Sequence, residues 1–294
     1  MGTSKIKYTV TDGNLFSAIA GADHVSSLLF DVSNSPAGGV IGVDGEVHQI
    51  YSLKEAEDLG IDGIIDPAAP TGSEYENGVV HKHISDFFAI NPNGELYVGL
   101  ADMSSDFTFL STVQNIAQGR LRQQGIYTPQ ELFTDGSPYT VNHTAAIEAI
   151  AQADALMNKP YSVILHASVA TVASGATDVE IGKIPTAIGS NERVSVTIGQ
   201  GNDSLTKAIQ NASGTSATVG AVGALIALTS LASVHESIGW VSKFNLAAVI
   251  TTISFGFGGV LTSIDDNTPY ESLSSQQLDL LSDNGYIFPH KYVG

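Results

Sequence analysis

The chain has 294 residues and no cysteine, which excludes disulfides, thiolate metal sites and cysteine nucleophiles. With 12 Lys+Arg against 30 Asp+Glu the net charge is −18, a sign that repels nucleic-acid phosphates and anionic lipid alike, so neither nucleic acid nor a membrane is expected as a partner. Charged residues make up only 14% of the chain and hydrophobic residues 43%, which implies a surface that is neutral and polar or one covered by other subunits.

The opening stretch lacks the basic, apolar and small-residue succession of a secretory leader, and the chain reads as cytosol-compatible. Met1 to Val10 instead has the look of a short strand or arm. A strand is expected over His24–Val32, closed by a turn at Asn34-Ser-Pro36, and a second over Gly45–Tyr51. Ser52-Leu-Lys-Glu55 forms a capping box for a short helix that Gly60 stops. Residues 61–78, with two Pro and three Gly, read as a loop. Val79, Val80, Ile84, Phe87 and Phe88 then share one face of a helix ending near Asn91-Pro-Asn-Gly94.

Glu95–Leu100 reads as a strand, Phe107–Ala117 as a helix, Arg120–Tyr127 as ending in a strand, and Thr128-Pro-Gln-Glu131 as a further helix start. The strongest helical pattern runs from Asn142 to Asn158, with Ala146, Ile150, Ala153 and Met157 as its expected inner face and Ile147 at the margin. Tyr161–Ser168 and Arg193–Gly199 are strands of the fully buried kind. A helix capped by Asp203 or Ser204 is expected next. The apolar runs 217–233 and 246–261 are interrupted by Gly, Ser and Thr and fall short of the ~20 residues of a membrane span, so both read as buried core. Ser274-Ser-Gln-Gln277 caps a last helix stopped by Gly285, and Tyr286-Ile-Phe288 begins a last strand. Strands regularly separated by helices define the expected class: α/β, a mixed sheet flanked by helices, with extended terminal arms.

Chemical motifs are sparse. Gly214-Thr-Ser216-Ala-Thr218 approximates a nucleophile elbow, and Asp265 or Asp266 with His290 completes a Ser, Asp, His order. Thr218 stands where close strand-helix packing wants Gly, and a connection between helices explains the segment better. His81-Lys-His83 could chelate a metal from a strand, but on a helix two residues apart diverge; a solvated helix start is expected. Gly199-Gln-Gly201 and Phe255-Gly-Phe-Gly-Gly259 lack the full spacing of phosphate-binding loops and read as turns. Asp265-Asp266-Asn267 lacks the alternating carboxylates of a calcium loop. Trp240 reads as a core anchor. No catalytic, cofactor-binding or metal residue is assigned.

Four segments together resemble the contractile phage tail sheath proteins, in particular a sheath-like family of phage-derived bacterial loci. They are Ile50–Gly60, His83–Val98, Arg193–Gln200, and Val222-Gly-Ala-Leu with Val234–Phe244. The resemblance implies a structural subunit, not an enzyme, which polymerises with copies of itself around an inner tail tube and on a baseplate. It is assembled in the bacterial cytoplasm and built into a virion tail or tail-like particle. It also implies terminal strands donated to neighbouring sheets, for which Ile6, Tyr8 and Val10 and, at the other end, Tyr286, Phe288 and Tyr292 are the candidates. On this reading residues 1–22 are an arm, 23–285 a sheath-like α/β core, and 286–294 a terminal strand cut short relative to the family. Two other readings stay open: a serine hydrolase using Ser216, Asp265 or Asp266, and His290, and a small-molecule binding module with a pocket at the strand ends.

Overall fold

The computed structural model describes residues 25–31, 46–63, 72–103, 106–128, 139–167, 192–198, 200–201, 219–232, 255–257, 268–269, 275–283 and 286–287. Its frame is a seven-stranded sheet. The central strands are β1 (Val25–Asp31), β3 (Glu95–Ala101), β4 (Gln123–Tyr127), β5 (Ser162–Ala167) and β6 (Val194–Ile198), with β2 (Val47–Ile50) and β10 (Tyr286–Ile287) at the margins. The order across the sheet is β10-β6-β5-β4-β1-β3-β2, and every neighbouring pair is parallel except β2 with β3. Numbered by chain order, the parallel strands follow the doubly wound sequence 2-1-3-4-5 continued by a sixth strand, with the topological switch between β1 and β4.

Helices cover both faces, and adjacent residues of β1 show it. A Cβ built on Gly125 of β4 would meet Leu28 and also Val222 and Ile226 of helix α5 (Val222–Leu231). One built on Gly99 of β3 would meet Leu29 and also Phe109 of α3 (Phe109–Ile116). Successive strand residues point to opposite faces, so Leu28 marks one helical layer and Leu29 the other. The first layer is α5 packed with α2 (Gly72–Ile90); the second is α3 with α4 (Tyr139–Leu156). Helix α5 is buried nearly all round, which explains why its sequence is apolar without a stripe. The expected fold class, a mixed sheet flanked by helices, is the observed one.

Local rules explain the short elements. In α1 (Leu53–Asp58) the Ser52 hydroxyl accepts from Glu55 N–H at 3.3 Å and the Glu55 carboxylate accepts from Tyr51 N–H at 2.9 Å, close to the expected capping box. The helix ends in a Schellman motif: Gly60 N–H donates to Glu57 O, Ile61 N–H donates to Ala56 O, and Gly60 has φ +96°.

Four expectations need correction. Helix α2 begins at Gly72, inside the stretch read as a loop up to residue 78. The inner face of α4 is Thr144, Ile147, Glu148, Ala151 and Asp154, while Ala146, Ala153 and Met157 are exposed. Its buried polar groups have specific partners: Glu148 accepts from Arg193 N–H at 2.9 Å, and Asp154 accepts from the Ser111 and Tyr161 hydroxyls, each at 2.7 Å. Gly199-Gln-Gly201 and the Phe255 segment are not both turns. Gln200–Gly201 (β7) and Phe255–Phe257 (β8) pair antiparallel in a second sheet, completed by Thr268–Pro269 (β9). The helix start at Lys82-His83 is not solvated, because both residues are buried in the middle of α2.

Candidate functional site

A doubly wound sheet offers its ligand site at the carboxyl ends of the strands, beside the switch point. Among the described residues, buried rings stand near these strand ends. Phe30 is the last residue but one of β1, Tyr127 ends β4 and His166 lies near the end of β5; all three are buried. Tyr127 and His166 stack at 5.0 Å with planes 8° apart. His83 of α2, fully buried, stands 5.1 Å from Tyr127 and 6.0 Å from Phe30.

The His83 imidazole is held by the first turn of α5. Gly223 N–H donates to His83 Nδ1 at 3.4 Å, so the neutral ring carries its proton on Nε2. Burial, the Lys82 cation and His166, in that order, hold its pKa well below the ordinary imidazole value. Gly223 is required there: a Cβ at that position would stand 2.2 Å from the His83 carbonyl oxygen, so the two backbones touch. Beside this contact the Lys82 ammonium binds Asp86 at 2.6 Å, one turn along α2, with both side chains largely buried.

Asp31 is positioned where a catalytic carboxylate would be placed, at the end of β1. Its oxygens accept from Thr128 Oγ1 at 2.8 Å and from Met103 N–H at 3.1 Å. That arrangement ties β1 to the turns after β3 and β4, and it commits the carboxylate to structural hydrogen bonds. His81 turns away from His83 and places Nε2 3.5 Å from Glu57 of α1, so the two histidines do not form a chelate. Among the described residues there is no group of three or more His, Asp or Glu able to hold a metal ion, and no helix long and apolar enough to cross a membrane.

The two margins of the sheet are built differently. At one, β2 is four residues long and paired with β3 alone among the described residues. Gln49 Nε2 donates to Glu95 Oε1 at 2.6 Å, and Arg120 Nη1 meets the same carboxylate oxygen at 2.8 Å while its guanidinium lies 5.9 Å from the Tyr97 ring centre. At the other margin β10 covers only Val196 and Thr197 of β6. Tyr286, a candidate arm residue, is buried in that edge strand, and burial pushes its phenol pKa up. The other candidates, Ile6, Tyr8, Val10, Phe288 and Tyr292, lie outside the described residues, as do Ser216, Asp265, Asp266 and His290 of the hydrolase reading and Trp240.

The ring cluster was not expected from sequence. His83, Tyr127 and His166 are far apart in the chain, but Tyr127 and His166 each stand near the carboxyl end of an expected strand, which was the available signal.

Sheet order and helix-covered faces define a doubly wound α/β domain. A family model described as DUF2586, N-terminal domain, matches residues 4–294, and the chain belongs to that family. No curated protein matches the sequence.

Proposed function

We propose that the chain is a non-enzymatic structural subunit of the contractile tail sheath kind, which assembles with copies of itself around an inner tube. The observation that carries the reading is the contrast between the two kinds of sheet boundary. Among the described residues, the carboxyl ends of β1, β4 and β5, where an enzyme or binding module of this topology would hold its ligand, carry buried rings, Phe30, Tyr127 and His166, with His83 against them. One lateral margin ends in the four-residue β2, which has no second strand partner among the described residues. Such a margin accepts an added strand, and the arm at residues 1–22, or the part of the 286–294 segment beyond β10, would supply it. The low proportion of charge fits a surface covered by neighbours.

Negative-stain electron microscopy of the purified chain, alone and with an inner-tube protein, tests the reading. Rings, tubes or sheathed tubes are the expected result. A strictly monodisperse monomer under all conditions, together with fluorophosphonate labelling that Ser216→Ala abolishes, would replace it with the hydrolase reading. A thermal shift with one defined metabolite and no assembly would replace it with the binding module.

A further inference from the structure

We propose that the contact between His83 of α2 and Gly223 of α5 is an acid-sensitive latch, in which protonation of the buried imidazole releases the first turn of α5 from α2. The inference stands on this contact alone and is independent of the assembly reading.

The chemistry of the contact allows only the neutral ring. Nδ1 is the acceptor for Gly223 N–H, so a proton added there turns a hydrogen bond into two donors facing each other. The new charge would also sit in the N-terminal turn of a ten-residue helix, where the free amides already present partial positive charge. His83 is fully buried, and Nε2 has no hydrogen-bond partner among the described residues, so a charged ring would be desolvated with no described side chain accepting from it. The 2.2 Å approach that a Cβ at Gly223 would make to His83 O shows that the backbones are in contact, without room to adjust around a charged ring.

The charged groups on each packed element reinforce this. Helix α5 (Val222–Leu231) carries none. On α2, Lys82 adds a cation and Asp86 is bound to it at 2.6 Å. On β1, Asp31 accepts from Thr128 and Met103. On β5, His166 is a second basic ring, stacked on Tyr127, which separates it from His83. Tyr127 is the titratable group on β4, and Glu57 of α1 lies beside His81, which points away.

The sign follows from these groups. The open form has an imidazole of ordinary pKa, 6.5, and the closed form one held well below it. Closure is therefore at full strength above that value, and below it the open form gains about tenfold in population per pH unit until the closed form itself titrates.

Hydrogen exchange of the intact chain, read by mass spectrometry and corrected for the intrinsic pH dependence of exchange, tests the latch. Between about pH 7 and about pH 5 the protection of peptides covering 219–232 is expected to fall by about tenfold or more. His83→Gln, whose amide oxygen can still accept from Gly223, is expected to flatten that dependence whatever its baseline protection, and His166→Gln to leave it in place. Wild-type protection that does not change with pH, or a slope that survives in His83→Gln, would overturn the proposal. Should His83→Gln not fold, 15N-histidine NMR of the wild type decides. The latch requires a neutral Nε2–H tautomer at position 83 that persists below about pH 6 in the closed form, and an Nδ1–H tautomer or a midpoint near the ordinary value would sink it.

Discussion

The Tyr161 hydroxyl donates a 2.7 Å hydrogen bond to Asp154 Oδ2, joining the residue that precedes β5 to the buried face of α4. Burial and the neighbouring carboxylate push the phenol pKa up, so the hydroxyl remains a donor across the ordinary pH range. The same carboxylate oxygen receives the Ser111 hydroxyl of α3, so one side chain ties two helices and a strand together. Tyr161→Phe is expected to cost about 1 kcal/mol, because Asp154 keeps Ser111. Asp154→Ala leaves two donors without an acceptor and is expected to cost about 3 kcal/mol. Urea unfolding followed by circular dichroism measures both. Equal losses in the two variants would mean that Ser111 contributes nothing.

Two glycines are expected to fail for different reasons. At Gly125 an added Cβ would lie 2.7 Å from Ile226 Cγ1 and 2.8 Å from Leu28 Cδ2, so Gly125→Ala overpacks the interface between β4 and α5, at about 2 kcal/mol. At Gly60 the obstacle is the backbone, since φ +96° lies where a Cβ is disfavoured; Gly60→Ala is expected to cost about 1 kcal/mol. The difference can be read in rescue. Ile226→Ala is expected to cost less in the Gly125→Ala background than in the parent, because it removes the Cγ1 that the new Cβ would meet, whereas Asn at position 60 does better than Ala because it tolerates positive φ. Thermal unfolding of these variants and of Ile226→Ala alone checks both, and an Ile226→Ala cost that is the same in the two backgrounds would place the strain elsewhere.

The strands were readable in the sequence because a fully buried parallel strand has to be a short apolar run. Tyr161–Ser168, Arg193–Gly199 and Glu95–Leu100 each match an observed strand with ends shifted by at most one residue. Apolar residues dense with Gly and Ala between 217 and 233 likewise became α5, where Gly223 permits the contact with His83. Helix α4 misled for the opposite reason. Apolar spacing selected Ala146, Ile150, Ala153 and Met157, but the burial of Glu148 and Asp154 depends on Arg193, Ser111 and Tyr161, partners that no local pattern reveals. The ring cluster at the carboxyl edge was hidden in the same way, since it is made by topology, with β4 and β5 placed beside β1 and α2 laid over them.

Charge gives the last prediction. A chain with a net charge of −18 brings like charges together whenever copies of it meet, and an exposed repulsion of this kind is screened over about 10 Å at 0.1 M salt. If copies join through backbone hydrogen bonds of donated strands, salt removes the repulsion and leaves the attraction intact. Assembly, followed by light scattering, is then expected to speed up from about 0.05 M to about 0.5 M sodium chloride. Assembly suppressed by salt would instead indicate charge-paired interfaces. Proline separates the backbone contribution from the electrostatic one, since it removes a single N–H and adds no charge. Adjacent residues of a strand send their N–H groups to opposite sides, and only one side faces the acceptor sheet. Of Tyr8→Pro and Thr9→Pro, neither of which changes the net charge, one is therefore expected to abolish assembly at every salt concentration and the other to weaken it. Two variants that both assemble like the parent would remove residues 6–10 from the list of donated strands and leave the opposite end of the chain to supply them.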